Sequence, residues 1–362
     1  MDSIRQILDP QVLTTAYVER PTGRPTPLTD FFYVSPEQIE GDNYRLFVDP
    51  AENEPAPMNN PGSEARVLQA SGATERVATL FSAFNKLPMQ GTVLTALREP
   101  NSSALQEMGR AEIKRQQMKF AARHRLMKEV TISKILTDGV VYMNADGVVL
   151  ETSSGAAVTA DFNVAAGHKS QLDYDGSGDL IGTAWDVAGA DIQENLDAID
   201  DAAEVENVPP PTDIWVHSSW KSKLRNNTDF QTWAAASAAD SEQILRGNMI
   251  PGLFGKTWHF YSGTYTASDG TTLPFIDPAK AVLTPPPTEP WLKASVGSTL
   301  TPRSIGVTQN WEQALTQSEK VYGEFSYAKL IDDPWTLFMY MGDTFGLHFA
   351  DPNAIWMPTI DF

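Results

Sequence analysis

The chain has 362 residues, of which 41% are hydrophobic and 10% aromatic, so it can build a sizeable core and wholesale disorder is excluded. A formal net charge of −19 excludes binding to DNA or anionic lipid through the surface as a whole, because an acidic surface repels phosphate groups. The absence of cysteine excludes thiolate catalysis, disulfides, cysteine–zinc sites and iron–sulfur clusters.

The N-terminal sequence MDSIRQILDPQVL has no basic flank followed by a sustained apolar run, so it is not typical of a signal peptide. No stretch of the chain reaches the about 18 consecutive apolar residues that a membrane-spanning helix needs. We therefore expect a soluble intracellular protein of two or three domains, or of one domain with long extensions.

Residues 1–98 lack the apolar pattern of a domain with its own core. Two short helical stretches interrupted at Pro10 precede the proline-rich sequence PTGRPTPLTDFFYVSP, which predicts an extended arm over residues 1–40. Alternating apolar residues in NYRLFV and RVLQASGATERVATLF flank the polar sequence VDPAENEPAPMNNPGSEA. This pattern predicts a long hairpin with a polar tip over residues 41–98.

A long helix is predicted over residues 101–136, because this stretch has no proline, one glycine and capping residues at its start. Residues 101–137 contain eight lysines or arginines against three glutamates, a net charge of +5 in an acidic chain. Ion pairs with acidic neighbours explain these charges better than nucleic-acid contact, because no aromatic interleaving accompanies them. We expect an imperfect inner stripe at roughly helical spacing, formed by Leu105, Met108, Glu112, Gln116, Phe120, Leu126, Met127 and Val130.

The middle of the chain alternates strands and helices. GVVYMNADGVVLET predicts a hairpin with its turn at residues 144–147, and AAVTADFNVA predicts a further strand. DIWVHSS predicts a buried strand and WKSKLRNN a helix, which together indicate a mixed layered unit. DIQENLDAIDDAAEVEN predicts an amphipathic helix whose inner face is Ile192, Leu196, Ile199 and Ala203.

The C-terminal third is rich in strand-forming residues. KTWHFYSGTYTASDGTTLPFIDPAKAVLTPPP predicts a strand, a glycine-rich loop and a second strand. The sequence from Val321 to Phe362 is dense in aromatic and β-branched residues, so we expect it to supply central strands of the core.

The loop DYDGSGDL is similar to a calcium-binding loop. Asp173, Asp175 and Asp179 occupy the first, third and seventh positions of that template. The twelfth position, which needs a bidentate glutamate, is Ala184, and the ninth is Ile181. Because the flanking sequences also do not predict two helices, a hydrated turn explains the loop better than a metal site does.

No other motif selects a catalytic or cofactor-binding residue. GSGDLIG departs from the dinucleotide fingerprint in its last spacing, and GLFGKT has Ile250 where a phosphate loop needs glycine, so both are interpreted as turns. Carboxylates are abundant, but nothing selects a glycosidase-like pair. His217 and His259 lie on apolar strands and are expected to be bonded core residues. No pair is spaced as metal ligands among His124, His168, His217, His259 and His348.

The order of these elements, from arm and hairpin through long helix and α/β insertion to returning aromatic strands, resembles the major capsid proteins of tailed bacteriophages. The closest resemblance is to the lambda-like major capsid protein E family, which has the Hong Kong 97-type fold. It covers most of residues 85–362. The stretches that carry it are MGRAEIKRQQMKFAARHRLMKEVTISKIL, AWDVAGADIQENLDAID, DIWVHSSWKSKLRNN, LPFIDPAKAVLTPP and FGLHFADPNAIWMPTI.

The resemblance implies an α+β capsid fold with an inserted α/β domain. It implies an N-terminal arm (1–40), an extended E-loop hairpin (41–98), a P domain with the spine helix at about 101–136 (99–189), an A domain (190–295), and return strands that complete the P domain (296–362). By the same resemblance, the aspartate-rich loop lies at the crossover between the P and A domains.

The resemblance also implies partners and a location. The chain would form hexamers and pentamers of an icosahedral head that encloses double-stranded DNA without sequence-specific binding, and it would assemble in the bacterial host cytoplasm. No long charged helical segment begins the chain, so a separate scaffolding protein or cleavage of a longer precursor is implied. The resemblance also implies a portal as a partner and allows for a decoration protein. It implies no membrane partner, no cofactor and no enzymatic activity.

Three alternatives stay open at this point. A globular protein that binds calcium or acts on carbohydrate would use the loop from Asp173 to Asp179 and the abundant carboxylates. A nucleic-acid-binding protein would use the basic helix. A cellular nanocompartment shell would share the capsid fold and enclose an enzyme in place of DNA.

Overall fold

The computed structural model describes residues 13–15, 25–40, 43–48, 74–88, 103–170, 181, 183–236, 249–288, 290–302, 318–332 and 335–361. Contacts within the chain divide it into two compact units. The first unit is drawn from Met1–Tyr44, Thr79–Glu129 and Ala294–Leu347, and the second from Arg45–Ala78, Val130–Lys293 and His348–Phe362. Each unit has its own sheets and its own buried apolar residues.

The described residues include five α-helices. They are α1 (Pro27–Phe32), α2 (Ser103–Asp138), α3 (Ile192–Val205), α4 (Trp220–Asn226) and α5 (Thr228–Ala236). The helices predicted from the sequence at α2, α3 and α4 are confirmed. Helix α1 was missed, because the prolines around it predict an extended arm. Its proline stands at the first turn, where the missing N–H has no intrahelical partner to lose.

The strands are β1 (Glu37–Ile39), β2 (Asn43–Val48), β3 (Thr74–Thr79), β4 (Phe81–Pro88), β5 (Val140–Met143), β6 (Val149–Leu150), β7 (Val158–Asp161), β8 (Lys169–Ser170), β9 (Asp213–His217), β10 (Met249–Leu253), β11 (Lys256–Tyr261), β12 (Thr264–Thr266), β13 (Thr272–Pro274), β14 (Ala281–Thr284), β15 (Leu292–Pro302), β16 (Ser318–Tyr322), β17 (Phe325–Asp332), β18 (Trp335–Phe349) and β19 (Met357–Pro358). Strands β2 and β3 pair with each other, and the predicted hairpin tip around residues 50–62 lies outside the described residues.

The first unit is built on a sheet with the strand order β1-β15-β18-β17. Strand β16 also pairs with β15, and β4 also pairs with β18. Strands β4 and β17 run antiparallel to β18, whereas β1 runs parallel to β15. The aromatic C-terminal sequence therefore does supply a central strand, because β18 has neighbours on both sides.

The second unit contains a four-stranded sheet in the order β10-β11-β9-β14 and a three-stranded sheet in the order β6-β5-β7. Parallel pairing of β9 and β11 and antiparallel pairing of β9 and β14 make this a mixed sheet. The predicted inner face of α3 is confirmed, because Ile192, Leu196, Ile199 and Ala203 are all buried. The Asp191 carboxylate caps this helix by accepting a hydrogen bond from the backbone N–H of Glu194 at 2.9 Å.

Helix α2 extends two residues beyond the predicted end at 136 and stops at Gly139. That glycine has a φ of +64°, which favours glycine, and its N–H donates to the carbonyl of Ile135 at 3.1 Å. The buried side chains of α2 lie one position after those predicted at 112, 116 and 120, whereas Val130 is buried as predicted. The buried residues between 111 and 128 are Ile113, Gln117, Ala121, His124 and Lys128. Because three of these five are polar, the spacing of apolar residues in the sequence does not reveal this face.

Two turns form as the sequence predicts. Asn144 Oδ1 accepts hydrogen bonds from the backbone N–H groups of Asp146 and Val148, both at 2.9 Å, which closes the hairpin between β5 and β6. The GLFGKT sequence is the turn of the β10–β11 hairpin, with Phe254 and Gly255 at φ values of 52° and 75°. A phosphate loop leads into a helix, whereas this turn joins two strands, so GLFGKT is not a phosphate loop.

Candidate functional site

The N-terminal segment of the first unit is bonded to helix α2 by a buried carboxylate. Glu129 is fully buried and accepts hydrogen bonds from the backbone N–H of Leu28 at 3.0 Å and of Thr29 at 2.8 Å. The hydroxyl of Thr29 donates to the same carboxylate at 2.6 Å. Thr26, the residue before α1, makes no side-chain cap. Glu129 therefore caps α1 from a distant point in the chain, where a negative charge also suits the helix dipole.

A buried ion pair lies one residue earlier on the same helix. Lys128 Nζ is 2.8 Å from Asp343 Oδ2, and their side chains are only 8% and 1% exposed. The ammonium group also lies 4.7 Å from the ring centre of Tyr33 and 5.1 Å from that of Phe345. Because a buried charge loses its hydration, these ring faces offset part of the desolvation cost of the pair.

Further polar contacts tie residues 33–40 to the sheet of the first unit. The hydroxyl of Tyr33 donates to the carbonyl of Ser295 at 2.6 Å, and Lys320 Nζ lies 2.6 Å from Glu40 Oε1. Burial raises the pKa of the Glu324 carboxyl above its usual value, and the nearby charge of Asp343 raises it further. The described part of the arm is thus held by specific contacts in its own unit.

One face of the first unit's sheet carries a ladder of aromatic rings. Phe84 on β4 is 55% exposed, and its ring centre is 5.6 Å from that of Tyr340 on β18, with 18° between the planes. Tyr340 stacks in turn on Tyr327 of β17 at 4.9 Å and 11°. Gly342 pairs with both Phe84 and Phe325, whose rings are 5.9 Å apart. This ladder was not predicted, because the two phenylalanines of FSAFNKLP are three residues apart and lie on opposite faces of β4, so no period-two pattern marks one face as aromatic.

The predicted pairing of the basic helix is confirmed at three positions. Arg115 bonds Glu112 one turn earlier, and Lys128 pairs with Asp343 as described. Lys134 Nζ lies 2.6 Å from Glu151 Oε2 and 3.3 Å from Asp138 Oδ2. Long-range acidic partners therefore account for part of the charge of α2.

The histidines are bonded or packed residues of the two units. His259 is buried as predicted, with Nε2 2.8 Å from Asp213 Oδ1, whereas His217 is only half-buried and has Nδ1 2.9 Å from Ser219 Oγ. His168 lies between Glu206 and Trp356, stacking on the indole at 3.7 Å.

His348 is buried beside Phe162, and burial lowers its pKa to about 4. His124 Nε2 lies 3.0 Å from the side-chain amide of Asn85. In the part of the chain described, no three acidic or histidine side chains form a group that could hold a metal ion.

Lys256, the lysine of the GLFGKT sequence, is bonded inside the second unit. Its Nζ donates to the carbonyl of Pro211 at 2.6 Å and pairs with Asp200. The lysine is therefore engaged in a buried structural contact, which agrees with the interpretation of this sequence as a turn.

Asp173, Asp175 and Asp179, the weak metal-site candidates, lie outside the described residues, as does most of GSGDLIG. That their loop is a hydrated turn stays a prediction. Among the helices of the described residues, none is long and apolar enough to cross a membrane.

Comparison with protein families decides between the alternatives. A family model described as phage major capsid protein E matches residues 9–301. The chain belongs to this family. The structural capsid role expected from the sequence is therefore supported, and the calcium-binding or carbohydrate-acting alternative is not favoured. A comparison with curated protein sequences found no significant match.

Comparison with solved structures gives the same fold for the capsid protein. A prophage protein of E. coli CFT073, provisionally described as a capsid protein, has a TM-score of 0.57 at 16% identity, covering 98% of this chain and 99% of its own. A phage-related protein from Bordetella bronchiseptica RB50 has a TM-score of 0.52 at 9% identity, covering 97% and 96% of the two chains. The fold is the mixed α+β capsid fold of the Hong Kong 97 type.

Proposed function

We propose that the chain assembles with itself into hexamers and pentamers of an icosahedral phage head that encloses double-stranded DNA. The observation that carries this proposal is the family match over residues 9–301. A structural role fits this family, so we propose no catalytic activity. The match to a phage capsid family supports a head that contains DNA over a cellular nanocompartment with an enzyme cargo.

The domain boundaries expected from the sequence are part of the proposal. Residues 1–40 would be the N-terminal arm, 41–98 the E-loop, 99–189 the P domain with the spine helix, 190–295 the A domain and 296–362 the return strands. Helix α2 supports the spine assignment, because it has 36 residues. Pairing of β2 with β3 supports a hairpin whose tip is around residues 50–62. The loop at Asp173–Asp179 would be the crossover between the P and A domains.

The partners follow from the same proposal. The chain would assemble in the bacterial host cytoplasm with a separate scaffolding protein and a portal, and a decoration protein could bind the finished head. The net charge of −19 supports a head that encloses DNA without binding it tightly, because the negative charges of the chain repel those of DNA.

Mass photometry of the purified chain tests the proposal at the level of capsomers. We expect species at about five and six times the chain mass of 39.8 kDa, together with larger particles. Deletion of residues 50–62 is expected to keep the far-ultraviolet circular dichroism spectrum and to block particle formation, because it removes the proposed hairpin tip. Normal particles from the deletion variant would contradict the E-loop assignment, and a wild-type chain that stays monomeric would contradict the proposed function.

A further inference from the structure

Helix α2 presents one strongly basic face to solvent. From residue 114 to residue 123 its six exposed residues recur in adjacent pairs every four positions, which places them on a single side of the helix. Four of the six are basic, and Met118 among them is 44% exposed. We name this surface the basic face, and its residues are Lys114, Arg115, Met118, Lys119, Ala122 and Arg123.

Helix α3 presents the opposite charge. Its buried side packs through the apolar residues described above, and its exposed side carries a carboxylate at every turn. Val205 at the end of this surface is 66% exposed. We name it the acidic face, and its residues are Glu194, Asp197, Asp201, Glu204 and Val205.

The two faces match in length, in charge and in composition. At 1.5 Å per residue, the basic face is about 14 Å long from residue 114 to 123, and the acidic face is about 15 Å long from 194 to 204. Each carries four charged residues of one sign and one exposed large apolar side chain, Met118 or Val205. In the part of the chain that the structure describes, the residues of both faces are exposed, and Arg115 is also bonded to Glu112 of its own helix.

We propose that the basic face of α2 binds the acidic face of α3 in a second copy of this chain. Complementary charge selects the partner, because opposite potentials attract and two faces of the same sign repel. This inference rests on the proposed function, which brings many copies into contact. A single exposed ion pair contributes little stability, but the same contact repeated around a particle stabilises the assembly.

The chemistry of the basic face favours a protein partner over a nucleic acid. Met118 lies in the middle of the face, and the guanidinium of Arg123 lies 5.9 Å from the ring centre of the half-buried Phe120. Phosphate groups would bind the charges but leave the methionine in water, whereas a helix with a mixed acidic and apolar face covers both. A chain with a net charge of −19 also repels a polyanion at longer range.

Charge reversal with mixing tests the inference. One variant carries Lys119→Glu and Arg123→Glu, and the other carries Asp197→Lys and Asp201→Lys. Either variant alone brings two reversed charges against an unchanged face of the same sign, so we expect the assembled fraction in light scattering and sedimentation to fall about tenfold or more. An equal mixture of the two variants restores opposite charges between copies, and we expect assembly to return toward the wild-type level.

Matched controls separate the possible outcomes. The exposed pair Arg225→Glu and Lys293→Glu makes the same change in charge as the basic-face variant and is expected to assemble normally. Circular dichroism should be unchanged in all variants, because every altered residue is exposed. Normal assembly by both face variants, or no recovery on mixing, would overturn the inference and leave the proposed function intact.

Two further outcomes also decide the question. A wild-type chain that never forms particles would overturn the proposed function and this inference together. The other outcome is that the Lys119→Glu and Arg123→Glu variant assembles normally but loses salt-sensitive binding to a double-stranded oligonucleotide. That result would show that the basic face binds nucleic acid, and the inference would be wrong.

Discussion

The carboxylate of Glu129 accepts hydrogen bonds from both the backbone N–H and the hydroxyl of Thr29, 100 residues earlier in the chain. These bonds satisfy donors at the start of α1 that have no partner within that six-residue helix. The first turn of α1 therefore depends on one buried side chain of α2.

Replacement of Glu129 should release that turn. In Glu129→Ala the N–H groups of Leu28 and Thr29 lose their acceptor, so we expect the free energy of unfolding to fall by about 2–4 kcal/mol. Glu129→Gln keeps one acceptor oxygen and should lose less. Urea unfolding measures the loss, and limited proteolysis should show faster cleavage within residues 25–40. An alanine variant as stable and as resistant as the wild type would contradict the capping role.

Gly342 should not tolerate a side chain. A Cβ atom there would overlap the ring of Phe325 and stand 2.7 Å from the carbonyl oxygen of Ala83. We expect Gly342→Ala to lower the free energy of unfolding by about 1–3 kcal/mol, because the backbone oxygen cannot move aside cheaply. Gly189→Ala is the matched control, since a Cβ at that position meets nothing within 4 Å. Equal thermal midpoints for the two variants would contradict the tight approach at β18.

His348 should make the second unit sensitive to acid. Burial lowers its pKa to about 4, from an ordinary value of 6.5. Between these two values the unfolded chain binds a proton that the folded chain does not, so the stability contributed by neutral His348 is present above pH 6.5 and is lost as the pH falls toward 4. The full loss is about 3 kcal/mol.

The variant His348→Phe tests this pH dependence. It removes the titrating group, so the difference in unfolding free energy between pH 7 and pH 5 should shrink, whatever the variant does to stability at pH 7. Urea unfolding of both proteins at the two pH values measures that difference. An unchanged slope with pH would show that His348 does not titrate in this range.

The loop from Asp173 to Asp179 should not bind calcium. Ala184 and Ile181 occupy positions where the template needs ligands, so the loop has too few oxygen donors. Isothermal calorimetry with millimolar calcium is expected to give no binding heat for the wild type or for Asp175→Ala. A saturable heat that the substitution abolishes would revive the metal-site hypothesis.

Local patterns in the sequence were sufficient to predict the elements formed by neighbouring residues. Absence of proline and spacing of helix formers predicted α2, and the Asn144 turn predicted the β5–β6 hairpin. The inner face of α3 followed from apolar residues at helical spacing. These features depend on residues within a few positions of one another, which is where periodicity carries information.

Contacts between distant residues could not be predicted in the same way. No sequence pattern links Glu129 to Thr29 or Lys128 to Asp343, because each bond joins residues that only the tertiary fold brings together. The first part of the buried stripe of α2 was misplaced by one position for a related reason, since Gln117, His124 and Lys128 are polar and yet buried.

Negative-stain electron microscopy of the purified chain, alone and with a scaffolding protein, tests the central claim most directly. We predict closed shells of uniform size, or capsomers with fivefold and sixfold outlines, because the chain belongs to a major capsid protein family. A chain that remains a compact monomer under all assembly conditions would contradict the claim that it builds the head.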